Sequence, residues 1–109
     1  MNPLTELKKK DVTLTPALED AIHARAARLG KYCSRIERCT VRVEGSGRHH
    51  RQGNYQVRID VTLPGAEIIV HKHADANLEQ ALKAAFQAVG RGLEEQVRIS
   101  RGFVKHHAS

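Results

Sequence analysis

Four cations, Arg25, Arg28, Lys31 and Arg35, follow one another at spacings of three, three and four residues. On a helix and just beyond it, such spacing sets them along one edge, where they can track the phosphates of a nucleic-acid backbone. Arg48 and Arg51 in the run GSGRHHR make a second cluster with Arg42 and Arg58, which stand on flanking segments. Lys72 joins them as a further candidate RNA-binding residue. The competing reading is an ordinary solvated surface, since mixed charges are common on exposed helices. The overall balance favours an anionic partner: 18 Lys and Arg stand against 12 Asp and Glu, a formal charge of +6. Tyr32, Tyr55, Phe86 and Phe103 are the only Phe, Tyr or Trp residues, and Tyr55 and Phe86 fall at core positions. Base stacking has little to work with, so recognition should run through the backbone and shape of structured RNA.

Other chemistries fit less well. His71 and His73 alternate on one strand and share a face, but the adjacent pairs His49, His50 and His106, His107 diverge, and no Cys or carboxylate completes a zinc-like spacing. Lys72, Arg48 and Arg51 would also repel a cation, so neither a metal nor another cofactor is expected. Asp60 and Glu67 could be read as paired carboxylates, yet on a hairpin they are better placed to pair with Arg58 or Arg42 than to act as acid and base. GSGRHH lacks the third glycine of a dinucleotide fingerprint and opens no helix. Cys33 and Cys39 sit in no redox motif and read as small buried hydrophobes. The expectation is a protein that is not an enzyme and has no small-molecule substrate.

The elements that must position these residues are legible from periodicity. At 109 residues the chain has room for one domain. No apolar run approaches the roughly 18 residues of a spanning helix, and MNPLTELKKK lacks the apolar stretch of a signal peptide. A cytoplasmic protein with no membrane partner is therefore expected. Leu4 to Lys8 reads as a first strand. Thr15 then caps a helix that opens on Pro16 and carries the stripe Leu18, Ile22, Ala26, Leu29, Cys33. Cys39, Val41 and Val43 alternate with Arg38, Thr40 and Arg42 in a second strand. Tyr55 to Leu63 gives a third, and Glu67 to His73 a fourth after a Pro64–Gly65 turn. Asp75 or Asn77 caps a second helix with the stripe Leu78, Leu82, Ala85, Phe86, Val89, Leu93, Val97, weakened at Gly90 and Gly92 by about 1 kcal/mol each relative to Ala. The fold class is α+β: βαβββα, a four-stranded mixed sheet with both helices packed on its apolar face and the polar face open. Residues 1–99 form the folded domain, and 100–109 a basic, flexible C-terminal tail.

Three segments carry a resemblance: DVTLTPAL leading into the first helix, RLGKYCSRI leaving it, and the VRIDVTLPG hairpin. With RQGNYQVRIDVTLPGAEIIV and the capped, Ala-rich second helix, the chain resembles the ribosome hibernation factors, the short ribosome-associated translation inhibitors, over roughly residues 7 to 100. Its end, RGFVKHHAS, is similar to the segment that joins this domain to a cold-shock domain in longer relatives. The second helix departs from the family's habit, with Ala88 at a commonly basic position and LEEQ from Leu93 to Gln96. Arg91 matches the family, however, and basic residues resume at Arg98 and Arg101, so the resemblance adds these three to the candidate RNA-binding set. The resemblance implies a stress- or stationary-phase factor whose partners are the small ribosomal subunit and its 16S rRNA. It would occupy the mRNA and tRNA channel and block the decoding sites. The alternative is a non-catalytic protein- or nucleic-acid-interaction module that does not act on ribosomes. A weak homodimer, through a sheet edge or the tail, is compatible with either.

Overall fold

Apolar alternation decides which face of each strand turns inward, and the backbone pairing follows it. The computed structural model describes residues 4–45, 55–74 and 77–108, with side chains for 5–45, 55–73 and 77–99. In chain order the elements are strand β1 (Leu4–Lys10), helix α1 (Pro16–Arg28) running into a 3-10 turn (Leu29–Lys31), strands β2 (Arg38–Glu44), β3 (Tyr55–Leu63) and β4 (Ala66–Ala74), and helix α2 (Leu78–Ala108). This is the expected βαβββα order. The strands form one mixed sheet, β1-β2-β3-β4, in which β1 and β2 are parallel and the other neighbours antiparallel. A parallel pair needs a crossover, which α1 supplies.

Register stacks the apolar positions. Val41 lies between Leu7 and Ile59, Cys39 is opposite Val61, and Val43 opposite Val57. Cys39, Val41, Val43, Val57, Ile59 and Val61 all have 0% of their surface exposed. Onto this face α1 brings Ile22 and Ala26, the 3-10 turn brings Leu29, and α2 brings Leu82, Ala85, Phe86, Val89 and Leu93, all buried. Each fully buried large aliphatic side chain contributes about 1.5–3 kcal/mol. Helix α1 packs on β1, α2 on β3 and β4, and the two helices touch.

Local chemistry fixes the boundaries. The Thr15 hydroxyl accepts a hydrogen bond from the Leu18 amide at 3.1 Å, with Pro16 opening the helix. Asn77 Oδ1 accepts from the Gln80 amide at 3.0 Å, so Asn77 caps α2; the other candidate, Asp75, lies outside the described residues. Gly65 adopts φ 75° after Pro64, as a type II turn requires. Strand β1 runs two residues past Lys8, because its ladder with β2 continues to Lys10 opposite Glu44. The backbone of residues 100–108, read from the sequence as a separate tail, continues α2. Once nucleated, a helix adds one hydrogen bond per residue, so the segment needs no apolar stripe to take helical backbone. Gly90 and Gly92 each stand where α2 meets a neighbour. A Cβ at Gly90 would lie 3.1 Å from Tyr32 Cζ, and one at Gly92 3.2 Å from Ile68 Cγ2. The helix propensity they sacrifice is what permits those close approaches.

Candidate nucleic-acid interface

The sheet has two ends. At one, β1 and β2 finish and Gly45 follows; at the other, β3 turns into β4 at Pro64 and Gly65. Helix α1 bridges two parallel strands, so it runs from the Gly45 end back to the Pro64 end. The ion pair between Lys9 Nζ and Glu19 Oε2, 2.6 Å, ties its first turn to the last residues of β1. Its basic residues therefore collect at the Pro64 end, where cations also suit the C-terminal pole of the helix dipole. Helix α2 starts after β4 and runs the same way, and its Gly90 receives the Tyr32 ring there.

That contact places predicted cations of both helices at one end of the sheet. Arg28, Lys31 and Arg35 come from the end of α1 and beyond, and Arg91 from the residue after Gly90; all four are exposed, and Arg25 is half-buried. None of the five has an ion-pair or hydrogen-bond partner among the described residues. Tyr32, 45% exposed, lies among them with one part of its ring on Gly90. Grouped cations without carboxylate partners repel one another, and bound phosphates would relieve that repulsion.

The remaining predicted residues disperse. Arg98 pairs with Glu95 at 3.2 Å on exposed α2 surface. Lys72 is opposite Val57, so it lies on the helix-bearing face of the edge strand β4, half-buried and on the other side of the sheet from His71 and His73. Arg48 and Arg51, with His49 and His50, lie outside the described residues, as does the Arg101 side chain.

The sheet face away from the helices bears on the other chemistries considered. Asp60 holds Arg58 through two contacts, 2.8 Å to Nε and 3.3 Å to Nη2, and these keep the guanidinium pKa raised. Asp60 is opposite Ile69, whereas Glu67 is opposite Thr62, so the two carboxylates do not face each other. Burial, and then the charge of Asp60, pushes the Cys39 thiol up to about 11, leaving it protonated and a poor nucleophile at neutral pH. His71 and His73 do share a face, and His71 Nε2 lies 3.3 Å from Gln56 Oε1. Among the described residues no three His, Cys, Asp or Glu side chains converge on a metal-sized site, and no helix is long and apolar enough to cross a membrane.

Two cations escaped the sequence reading. Lys8 and Lys10 stand on the open face, opposite Arg42 and Glu44. Alternation within the run Lys8-Lys9-Lys10 would have separated them from Lys9, but only the parallel register shows which β2 residues they meet.

Two solved structures share this architecture. The N-terminal domain of Protein Y from Thermus thermophilus is 24% identical, with a TM-score of 0.68 covering 87% of this chain and 98% of that one. A ribosomal subunit interface protein from Coxiella burnetii is 15% identical, with a TM-score of 0.70 covering 86% and 97%. At these identities the likeness speaks for the fold alone. No curated protein matches the sequence. The family model described as sigma 54 modulation protein / S30EA ribosomal protein matches residues 5–99, from β1 through most of α2, and the chain belongs to that family.

Proposed function

We propose that this protein is a ribosome hibernation factor that binds the small ribosomal subunit through 16S rRNA, in the channel used by mRNA and tRNA, and blocks the decoding sites under stress. The observation that carries the reading is the family match over residues 5–99, which takes in all of the sheet but its first residue, α1, and the cations at the Pro64 end that have no partner among the described residues. The family's description as S30EA ribosomal protein supports a ribosomal partner. Residues 1–99 are the ribosome-binding unit and 100–109 a basic extension. Arg25, Arg28, Lys31, Arg35 and Arg91 are the principal phosphate contacts, with Arg48, Arg51, Lys72, Arg98 and Arg101 in support.

Inhibition arises from occupancy and not from chemistry. Two polyanions cannot share one groove, so the bound protein excludes mRNA and tRNA, and the exclusion reverses on release. The protonated Cys39 thiol and the engaged Asp60 carboxylate leave those groups to structure.

Gradient sedimentation of lysates from growing and starved cells tests this. Co-migration with small subunits and intact ribosomes, lost at high salt, is the expected outcome. A free position at low salt would refute ribosome binding and favour the interaction module that is independent of ribosomes. Cleaved rRNA in the ribosomal fractions would refute inhibition by occupancy.

A further inference from the structure

The open face of the sheet is not uniform in charge. Register aligns its side chains in cross-strand rows: Lys8, Arg42, Arg58 and His71 in one, and Lys10, Glu44, Gln56 and His73 in the next row toward the Gly45 end. Toward the Pro64 end come Glu6, Thr40, Asp60 and Ile69, and then Arg38, Thr62 and Glu67. The half near Gly45 thus holds four cations, Lys8, Lys10, Arg42 and Arg58, against one carboxylate, Glu44. The half near Pro64 holds Arg38 against Glu6, Asp60 and Glu67.

Within the basic half, like charges stand directly opposite: Lys8 against Arg42, and Arg42 against Arg58. Directly opposed like charges destabilise a sheet. Arg58 is relieved by Asp60, but Lys8 and Arg42 have no hydrogen-bond or ion-pair partner among the described residues, and both are exposed. Adjacent strands lie about 4.8 Å apart, so the row from Lys8 to His71 spans about 14 Å, enough to follow a phosphodiester backbone past a single phosphate.

This patch is diagonally opposite the cluster of Arg28, Lys31, Arg35 and Arg91. It lies on the other face of the sheet and at the other end, and the acidic half of the open face separates the two. One straight run of phosphates cannot reach both.

We propose that the basic half of the open sheet face, centred on Lys8, Lys10 and Arg42, is a second RNA-backbone site, so that one copy of the protein bridges two separate RNA segments. The inference deepens the proposed function, resting on RNA being the partner, and adds a second contact surface and a geometry. A bridging protein would hold two RNA elements of the subunit at a fixed spacing instead of merely lying against one.

The test uses the full chain and two triple variants. One is K8Q/K10Q/R42Q, which spares Arg58 and its Asp60 pair; the other is R28Q/K31Q/R35Q. Equilibrium sedimentation with a short RNA duplex, too short to wrap the domain, gives the number of duplexes bound per protein. The parent should bind two and each variant one, and donor- and acceptor-labelled duplexes should transfer energy only with the parent. In titrations of small subunits, each triple variant should flatten the slope of log affinity against log salt by about two. Parent saturation at one duplex, or two duplexes still bound by K8Q/K10Q/R42Q, would overturn the second site. Thermal melts of both variants matching the parent's guard against misfolding; if K8Q/K10Q/R42Q melts early, the single charge reversal K8E must still lose one duplex. Failure of the parent to bind small subunits while it binds two duplexes would refute the ribosomal reading and leave the two-site geometry standing.

Discussion

The two faces of β2 and β3 are built from the same two strands and obey opposite rules. On the inner face Cys39, Val41, Val43, Val57, Ile59 and Val61 are wholly buried, and each side chain is held by its neighbours' shape. On the outer face Arg42 and Arg58 stand opposite each other in solvent, where packing asks nothing of them and electrostatics would prefer them apart. The difference separates residues the fold needs from residues it tolerates. An outer-face charge that works against the fold is a better candidate for function than one that supports it.

The largest expected effect lies on the inner face. Ile59→Ala should cost about 2–5 kcal/mol in urea unfolding, because the side chain is fully buried in the core between sheet and helices and its truncation leaves a void the core cannot fully close. In conditions where the variant is still folded, its salt dependence of RNA binding should match the parent's. A changed slope would break the division between the faces.

Alkaline pH probes the same face through Cys39. Its thiol in the folded chain is raised from 9.0 to about 11, so between those values the unfolded chain loses a proton that the folded chain keeps. Stability is therefore retained below pH 9 and lost as pH rises toward 11. Relative to Cys39→Val, the parent should lose about 1–3 kcal/mol over that window in chemical denaturation. Parallel pH profiles for the two proteins would contradict the burial of the thiol.

A smaller effect sharpens the comparison at the helix junction. Gly90→Ala should gain about 1 kcal/mol of helix propensity, but in the parent its Cβ would press on the Tyr32 ring at 3.1 Å and cancel most of the gain. In a Tyr32→Ala background the full gain should appear. A double-mutant cycle from thermal melts measures this, and additive effects would show that the ring does not dictate the glycine.

The smallest expected effect belongs to the outer face. Arg42→Gln should move stability by no more than about 0.5 kcal/mol, and upward in sign, since it removes a charge opposed by both Lys8 and Arg58. Urea titration of variant and parent decides it, and a clear loss would give Arg42 a structural role.

How far the sequence reveals these features depends on whether they are local or depend on pairing. Strand β3 begins at Tyr55 and ends at Leu63 as alternation and the Pro-Gly turn predict, because both signals are contained in the segment. The caps at Thr15 and Asn77 are local too. The purpose of Gly90 was hidden, since a glycine inside a helical stripe reads as a defect until the Tyr32 ring is found resting on it. The split of the open face into a basic and an acidic half was hidden for the same reason. Lys8, Arg42 and Arg58 are far apart in sequence and form a row only through the register of three strands. The cluster at the Pro64 end was half visible: helical spacing gave Arg25, Arg28, Lys31 and Arg35, but the approach of Arg91 depends on how the two helices meet.

The central proposal is that the cations at the Pro64 end, which have no ion-pair or hydrogen-bond partner among the described residues, grip rRNA phosphates of the small subunit. It is tested most directly by titrating purified small subunits with labelled protein across a series of salt concentrations, for the parent and for a variant with Arg25, Arg28, Lys31, Arg35 and Arg91 all replaced by Gln. Each phosphate contact contributes about 0.7–0.9 to the slope of log affinity against log salt. The variant should bind weakly at low salt, with a slope shallower by about 3.5 to 4.5. A variant that binds with the parent's affinity and the parent's slope would contradict the claim outright.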